Sequence, residues 1–143
     1  MLVRAAAAEA PSSLSLYSEV LWQHYQDPYN NRKPPDYEGH VRKVNPVCPD
    51  VLELFARLDP KWPRVVELYF QAEACPPVIA LASLLCTRAP GQEISELARL
   101  TQQDLADWVG PLPPNKRHAV SLVHLALQDL VLVLQAIRVY TDK

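Results

Sequence analysis

Glycine is nearly missing from this chain, with three residues in 143. So low a count excludes a glycine-rich phosphate loop. Fourteen prolines stand against those three glycines. Stiff turns are expected, because proline fixes its own φ and removes a backbone donor. A basic stripe with interleaved aromatics is also missing: 14 Lys and Arg face 16 Asp and Glu, a formal net charge of −2. Nucleic acid is therefore not an expected partner. The three cysteines are not spaced like those of a small secreted scaffold, so a reducing cytoplasm is the expected location. Uninterrupted apolar runs of membrane-spanning length are lacking too. The most apolar stretch, residues 120–139, carries Ser121, His124, Gln128, Asp129, Gln135 and Arg138. Lipid would leave such groups unpartnered, so a buried helix is expected rather than a membrane span. Residues 1–13 hold an alanine run and one basic residue, Arg4, with no Leu-rich signal core. They are expected to be a disordered segment ahead of one domain over residues 14–143.

What is present falls into two periods. Residues 14–26 place Leu14, Leu16, Tyr17, Val20, Leu21 and Tyr25 near helical spacing, with Ser13 or Ser15 as caps. Residues 51–58 alternate Leu52, Leu54, Ala56 and Leu58 against Glu53 and Arg57. Residues 65–72 alternate Val66, Leu68, Phe70 and Ala72 against Glu67 and Gln71. These are strands with one buried face, joined as a hairpin, and residues 40–44 supply a third. After Cys75 the period becomes helical, with Pro76 and Pro77 in a first turn where a missing N–H is harmless. Short helices are expected over 95–100 and 102–109. A long last helix, capped by Asn115 and opened by His118, is expected to bury Ala119, Leu122, Val123, Ala126, Leu130, Val133, Leu134 and Ile137. The fold class is α+β: a small antiparallel three-stranded sheet packed on one face by helices. Leu125, Leu127 and Leu132 lie off the main stripe, which fits either a deep core or the contact face of a homodimer.

Four side chains stand out as metal ligands: Cys48, Asp50, Cys75 and His118. Cys48 precedes the first hairpin strand and Cys75 follows the second. Antiparallel pairing brings such ends together, so two thiols and the Asp50 carboxylate are expected side by side. Burial without function is the competing role for a cysteine, and it is the expected one for Cys86 among leucines. His118 opens a helix, where a neutral imidazole is favoured, as ligation requires. His24 and His40 have no recognisable partner. Ser83 and Ser121 lack a Ser/His/Asp layout, and a nucleophilic cysteine would need a base oriented by a third group.

Four segments of this chain resemble the NifU/IscU-type iron–sulfur cluster assembly scaffolds. Residues 17–30, ending His24-Tyr25-Gln26-Asp27-Pro28-Tyr29-Asn30, are similar to the family's opening helix and its exit. Asn45-Pro46-Val47-Cys48-Pro49-Asp50 resembles its first cysteine motif, and the segment around Cys75 its second. Leu112-Pro113-Pro114-Asn115-Lys116-Arg117-His118 resembles its third. Their order and spacing agree from about residue 17 to 134. The resemblance implies a SufE/NifU-like fold, with Cys48 and Cys75 as ligands and sulfur acceptors, Asp50 tuning cluster lability, and His118 as a neighbour or fourth ligand. It implies a transient iron–sulfur cluster, of the 2Fe-2S type, or zinc, or no metal. Implied partners are a cysteine desulfurase, apo acceptor proteins and, through residues 112–116, an Hsp70-type chaperone. The expected activity is that of a scaffold, not an enzyme; a cluster-free interaction module and a persulfide carrier are the rivals. The chain departs from the family's pattern at Ala119, where the third cysteine falls, and at Pro49, Ala74 and Pro76, which replace glycines.

Overall fold

A computed structural model describes residues 17–45 and 49–141, and side chains as far as Ile137. Cys48 and the segment 1–13 lie outside the described residues. The first helix among the described residues, α1 (Glu19–Gln26), starts after Ser18, which caps it: extended at φ −64° and ψ 159°, Ser18 accepts the N–H of Leu21. Ser13 and Ser15 are therefore not its caps. Strands β1 (Gly39–Asn45), β2 (Asp50–Leu58) and β3 (Val65–Glu73) form one antiparallel sheet in the order β1-β2-β3. Leu54 pairs with Val41 on one side and Phe70 on the other. Helices α2 (Pro76–Arg88), α3 (Ile94–Ala98), α4 (Gln102–Val109) and α5 (His118–Thr141) follow.

Leu52, Leu54, Ala56, Leu68 and Phe70 are fully buried beneath α2 and α5. One expected inward residue is displaced. Arg57 faces Glu67 while Leu58 faces Val65, so Val66 is the extra residue of a bulge. Val65 is buried and Val66 is 43% exposed. Gly39 lets α5 approach β1, since a Cβ there would stand 2.5 Å from Leu134 Cδ2. The face away from the helices is covered in part by the 27–38 connection. Asn30 donates through Nδ2 to the Leu68 carbonyl and accepts the Phe70 N–H. The Tyr37 and His40 rings contact Phe55 at 5.1 and 4.7 Å, and the Arg32 guanidinium lies 4.8 Å over Tyr69. Phe55 and Tyr69 are consequently buried.

Helix α5 lies in a stretch long and apolar enough to cross a membrane by length and composition. Its inner stripe is instead part of the core: Ala119, Val123, Ala126, Leu130 and Leu134 are fully buried, and Leu127 joins them. Leu132, off that stripe, is 65% exposed. Asn115 does not cap this helix; it sits within a 3-10 turn, Pro114–Lys116, and α5 begins at His118. Helix α4 ends at Gly110, with φ 82° and ψ −173°, a conformation essentially confined to glycine. A Cβ there would also lie 2.9 Å from the Ser18 Cβ. Gly110→Ala is expected to cost about 1–3 kcal/mol of stability, read as a lower urea midpoint at unchanged slope. An unchanged midpoint would contradict this packing.

Candidate metal centre

Three chain segments deliver one side chain each to the same point. Asp50 opens β2 on the row that continues as Leu52, Leu54 and Ala56, so strand alternation turns its carboxylate toward the core, where it is 3% exposed. Cys75 is the N-cap residue of α2, held there by an extended backbone and followed by Pro76 and Pro77 in the first turn. His118 is the first residue of α5, delivered by the 3-10 turn before it. The hairpin register explains the first pairing. Val51 faces Glu73, so Asp50 and Cys75 meet although 25 positions separate them.

The contacts are mutual. Asp50 Oδ1 accepts the Cys75 N–H at 3.0 Å, and Oδ2 meets His118 Nε2 at 2.9 Å. Cys75 Sγ lies 3.8 Å from Asp50 Oδ2 and 3.7 Å from His118 Nε2. A proton-relay triad uses both imidazole nitrogens, one for the carboxylate and one for the nucleophile. Here the same nitrogen faces both neighbours. The arrangement is that of three ligand atoms around a common point, all within 4.8 Å of one another. Two helix N-termini also converge on it, and their partial positive charge favours an anionic carboxylate or thiolate.

The neighbours differ from the sequence expectation in informative ways. Ala119, at the position of the family's third cysteine, is fully buried and offers no ligand atom. Arg117 is exposed and lines a groove beside α4. Burial pushes the Cys86 thiol far above its ordinary value, which makes it inert, as expected. Tyr17 lies near the site: its phenol is raised by burial and then by the charge of Cys75. The fourth expected ligand, Cys48, lies outside the described residues.

Residues 16–142 match the family described as the NifU-like N terminal domain. The chain belongs to this family. Among its relatives, an iron–sulfur cluster assembly scaffold protein, IscU 1 of Archaeoglobus fulgidus, is 31% identical over 116 residues, covering 81% of this chain and 74% of the relative. The scaffold protein IscU of Aquifex aeolicus is 28% identical, with 81% and 76% covered. A crystal structure of a nitrogen-fixing NifU-like protein (N-terminal) from Brucella abortus superposes with a TM-score of 0.67 at 12% identity, covering 83% of this chain and 94% of the other. That likeness confirms the α+β, NifU-like fold.

The remaining histidines of this NifU-like domain have partners invisible to sequence spacing. His40 Nε2 meets Glu53 at 2.7 Å, and His124 Nε2 donates to the Leu100 carbonyl at 2.9 Å. His24 Nδ1 lies 2.7 Å from the hydroxyl of Ser83, which is fully buried and accepts the Tyr29 N–H at 2.8 Å. Burial first, and the Arg88 charge second, hold His24 below its ordinary value of 6.5. The unfolded chain therefore binds this proton before the folded one does. The resulting stability is complete above about pH 6.5 and is lost as pH falls through that value toward the folded pKa. Urea midpoints measured from pH 8 to 5 are expected to fall more steeply for the wild type than for His24→Gln. Parallel profiles would contradict the assignment.

Proposed function

We propose that this protein is a scaffold of iron–sulfur biogenesis, holding a metal ion or a labile cluster and passing it on without turning over a substrate itself. The observation that carries this reading is the convergence of Asp50 Oδ2, Cys75 Sγ and His118 Nε2 in a chain of this family. The donor set fits the cargo. Thiolate, imidazole and carboxylate suit zinc, and iron in clusters accepts mixed Cys and His ligation. Ligands on one zinc, with bonds of about 2.0–2.3 Å, stand roughly 3.3–3.8 Å apart. The two sulfur distances, 3.7 and 3.8 Å, match that spacing. Nε2 and Oδ2, now 2.9 Å apart in a hydrogen bond, need to separate by a few tenths of an ångström. Cys48, two positions before Asp50, is the fourth ligand in this reading. A 2Fe-2S cluster needs ligands on two irons and would depend on Cys48 more than a single zinc ion does.

The partners follow from the same reading: a cysteine desulfurase as sulfur donor, apo iron–sulfur proteins as acceptors, and an Hsp70-type chaperone at residues 112–116. Pro114 and Asn115 are exposed there. The cytoplasm, where thiols stay reduced, is the proposed compartment, and a homodimer the proposed state.

The test is anaerobic reconstitution of the full chain with ferrous iron, cysteine and a cysteine desulfurase, followed by visible absorption and by transfer to an apo ferredoxin. The wild type is expected to gain and transfer a cluster chromophore, and Cys75→Ser to lose it at unchanged far-ultraviolet circular dichroism. A folded wild type that takes up neither iron nor zinc would overturn the reading in favour of a cluster-free module.

A further inference from the structure

We propose that the cavity shared by α2, α3 and α4 binds a free α-amino acid with an apolar side chain. The cavity, of about 220 Å³, shares no lining residue with the metal centre. It is smaller than the roughly 300–1,000 Å³ of pockets for drug-sized ligands, which limits the occupant to a small molecule. Leu85, Ala89 and Leu97 line it and are buried, and half-buried Leu100 and Trp108 stand beside them. Its charged lining is one residue of each sign, Arg88 and Glu96.

The two charges decide the ligand. The Arg88 guanidinium lies 4.5 Å over the Trp108 ring. Stacking holds its plane and leaves its N–H edge open. Among the described residues that edge has no hydrogen-bond or ion-pair partner, and neither has the side-chain amide of Gln92, which also lines the cavity. Glu96 does not neutralise Arg88, since the two form no ion pair. Its Oε1 accepts the Glu93 N–H at 2.8 Å in the capping box of α3, which leaves Oε2 unengaged. A guanidinium and a carboxylate that line one small cavity without meeting suit a ligand that carries both opposite charges. An α-carboxylate takes the Arg88 edge in a two-bond contact, with the Gln92 amide as a further donor. The α-ammonium takes Glu96 Oε2, and the side chain covers Leu85, Leu97 and Leu100. Simpler ligands leave a mismatch. A monocarboxylate or a phosphate brings negative charge to Glu96, an amine brings positive charge to Arg88, and glycine leaves the leucines uncovered.

Titration of the full chain with L-leucine, followed by proton–nitrogen NMR, tests the site, with the Trp108 indole signal assigned through Trp108→Phe. Saturable shifts are expected at that indole and at the amides of Gln92, Glu96 and Leu100. Three analogues each lack one feature: isocaproate the ammonium, isoamylamine the carboxylate, and glycine the side chain. Each is expected to bind roughly tenfold more weakly than L-leucine. Arg88→Met keeps an apolar stem against Trp108, and Glu96→Gln keeps an acceptor for the Glu93 N–H. Each is expected to weaken L-leucine binding by about tenfold at an unchanged urea midpoint. L-leucine that leaves these signals unmoved would overturn the proposal. So would an analogue that binds as tightly as L-leucine, or binding that either substitution leaves unchanged.

Discussion

The rest of the site depends on one buried carboxylate. Asp50 lies on the apolar row of β2, where an unpaired charge would be expensive. It is tolerated because both oxygens are engaged, Oδ1 by the Cys75 N–H and Oδ2 by His118 Nε2. Those two bonds hold the start of α2 and the start of α5 to the end of the sheet. The same contacts thus close the fold at one end and gather the ligand atoms. A ligand set built this way lies on rigid elements, with the prolines at 76 and 77 fixing the turn that carries the thiol.

Much of this was legible as period. Alternation gave β2 and β3, helical spacing gave α2, α4 and α5, and the change between them after Cys75 located the site. Hairpin geometry pointed to Cys48, which lies outside the described residues, as the neighbour of Cys75, with Asp50 in reach of the same point; the contact the structure describes is that of Asp50 with Cys75. A further signal was present in the strand itself: Asp50 continues the row of Leu52, Leu54 and Ala56, which marks it as an inward carboxylate. His118 was harder to place, since nothing local pairs a helix start with a strand 68 positions away; the resemblance did more for it than spacing did.

What period could not supply was decided by packing. Ser18, rather than Ser13 or Ser15, starts α1 because its hydroxyl is positioned by Val109 and Gly110 from the far end of α4. The bulge at Val66 leaves the composition of β3 unchanged and shifts only which valine is buried. His24 and Ser83 find each other across the α1–α2 contact, a tertiary event with no trace in either helix's spacing. The aromatic cover over Phe55 and Tyr69 likewise depends on a proline-rich connection folding back on the sheet.

The central claim is that Cys75, Asp50 and His118 form one ligand set rather than a hydrogen-bonded corner of the core. X-ray absorption at the zinc edge, on full-length protein loaded with one equivalent of zinc, measures it most directly. The account predicts a four-coordinate shell with sulfur near 2.3 Å and nitrogen or oxygen near 2.0–2.1 Å, losing one light-atom ligand in His118→Ala and one sulfur in Cys75→Ala. A shell without sulfur, or one unaltered by both substitutions, would contradict it.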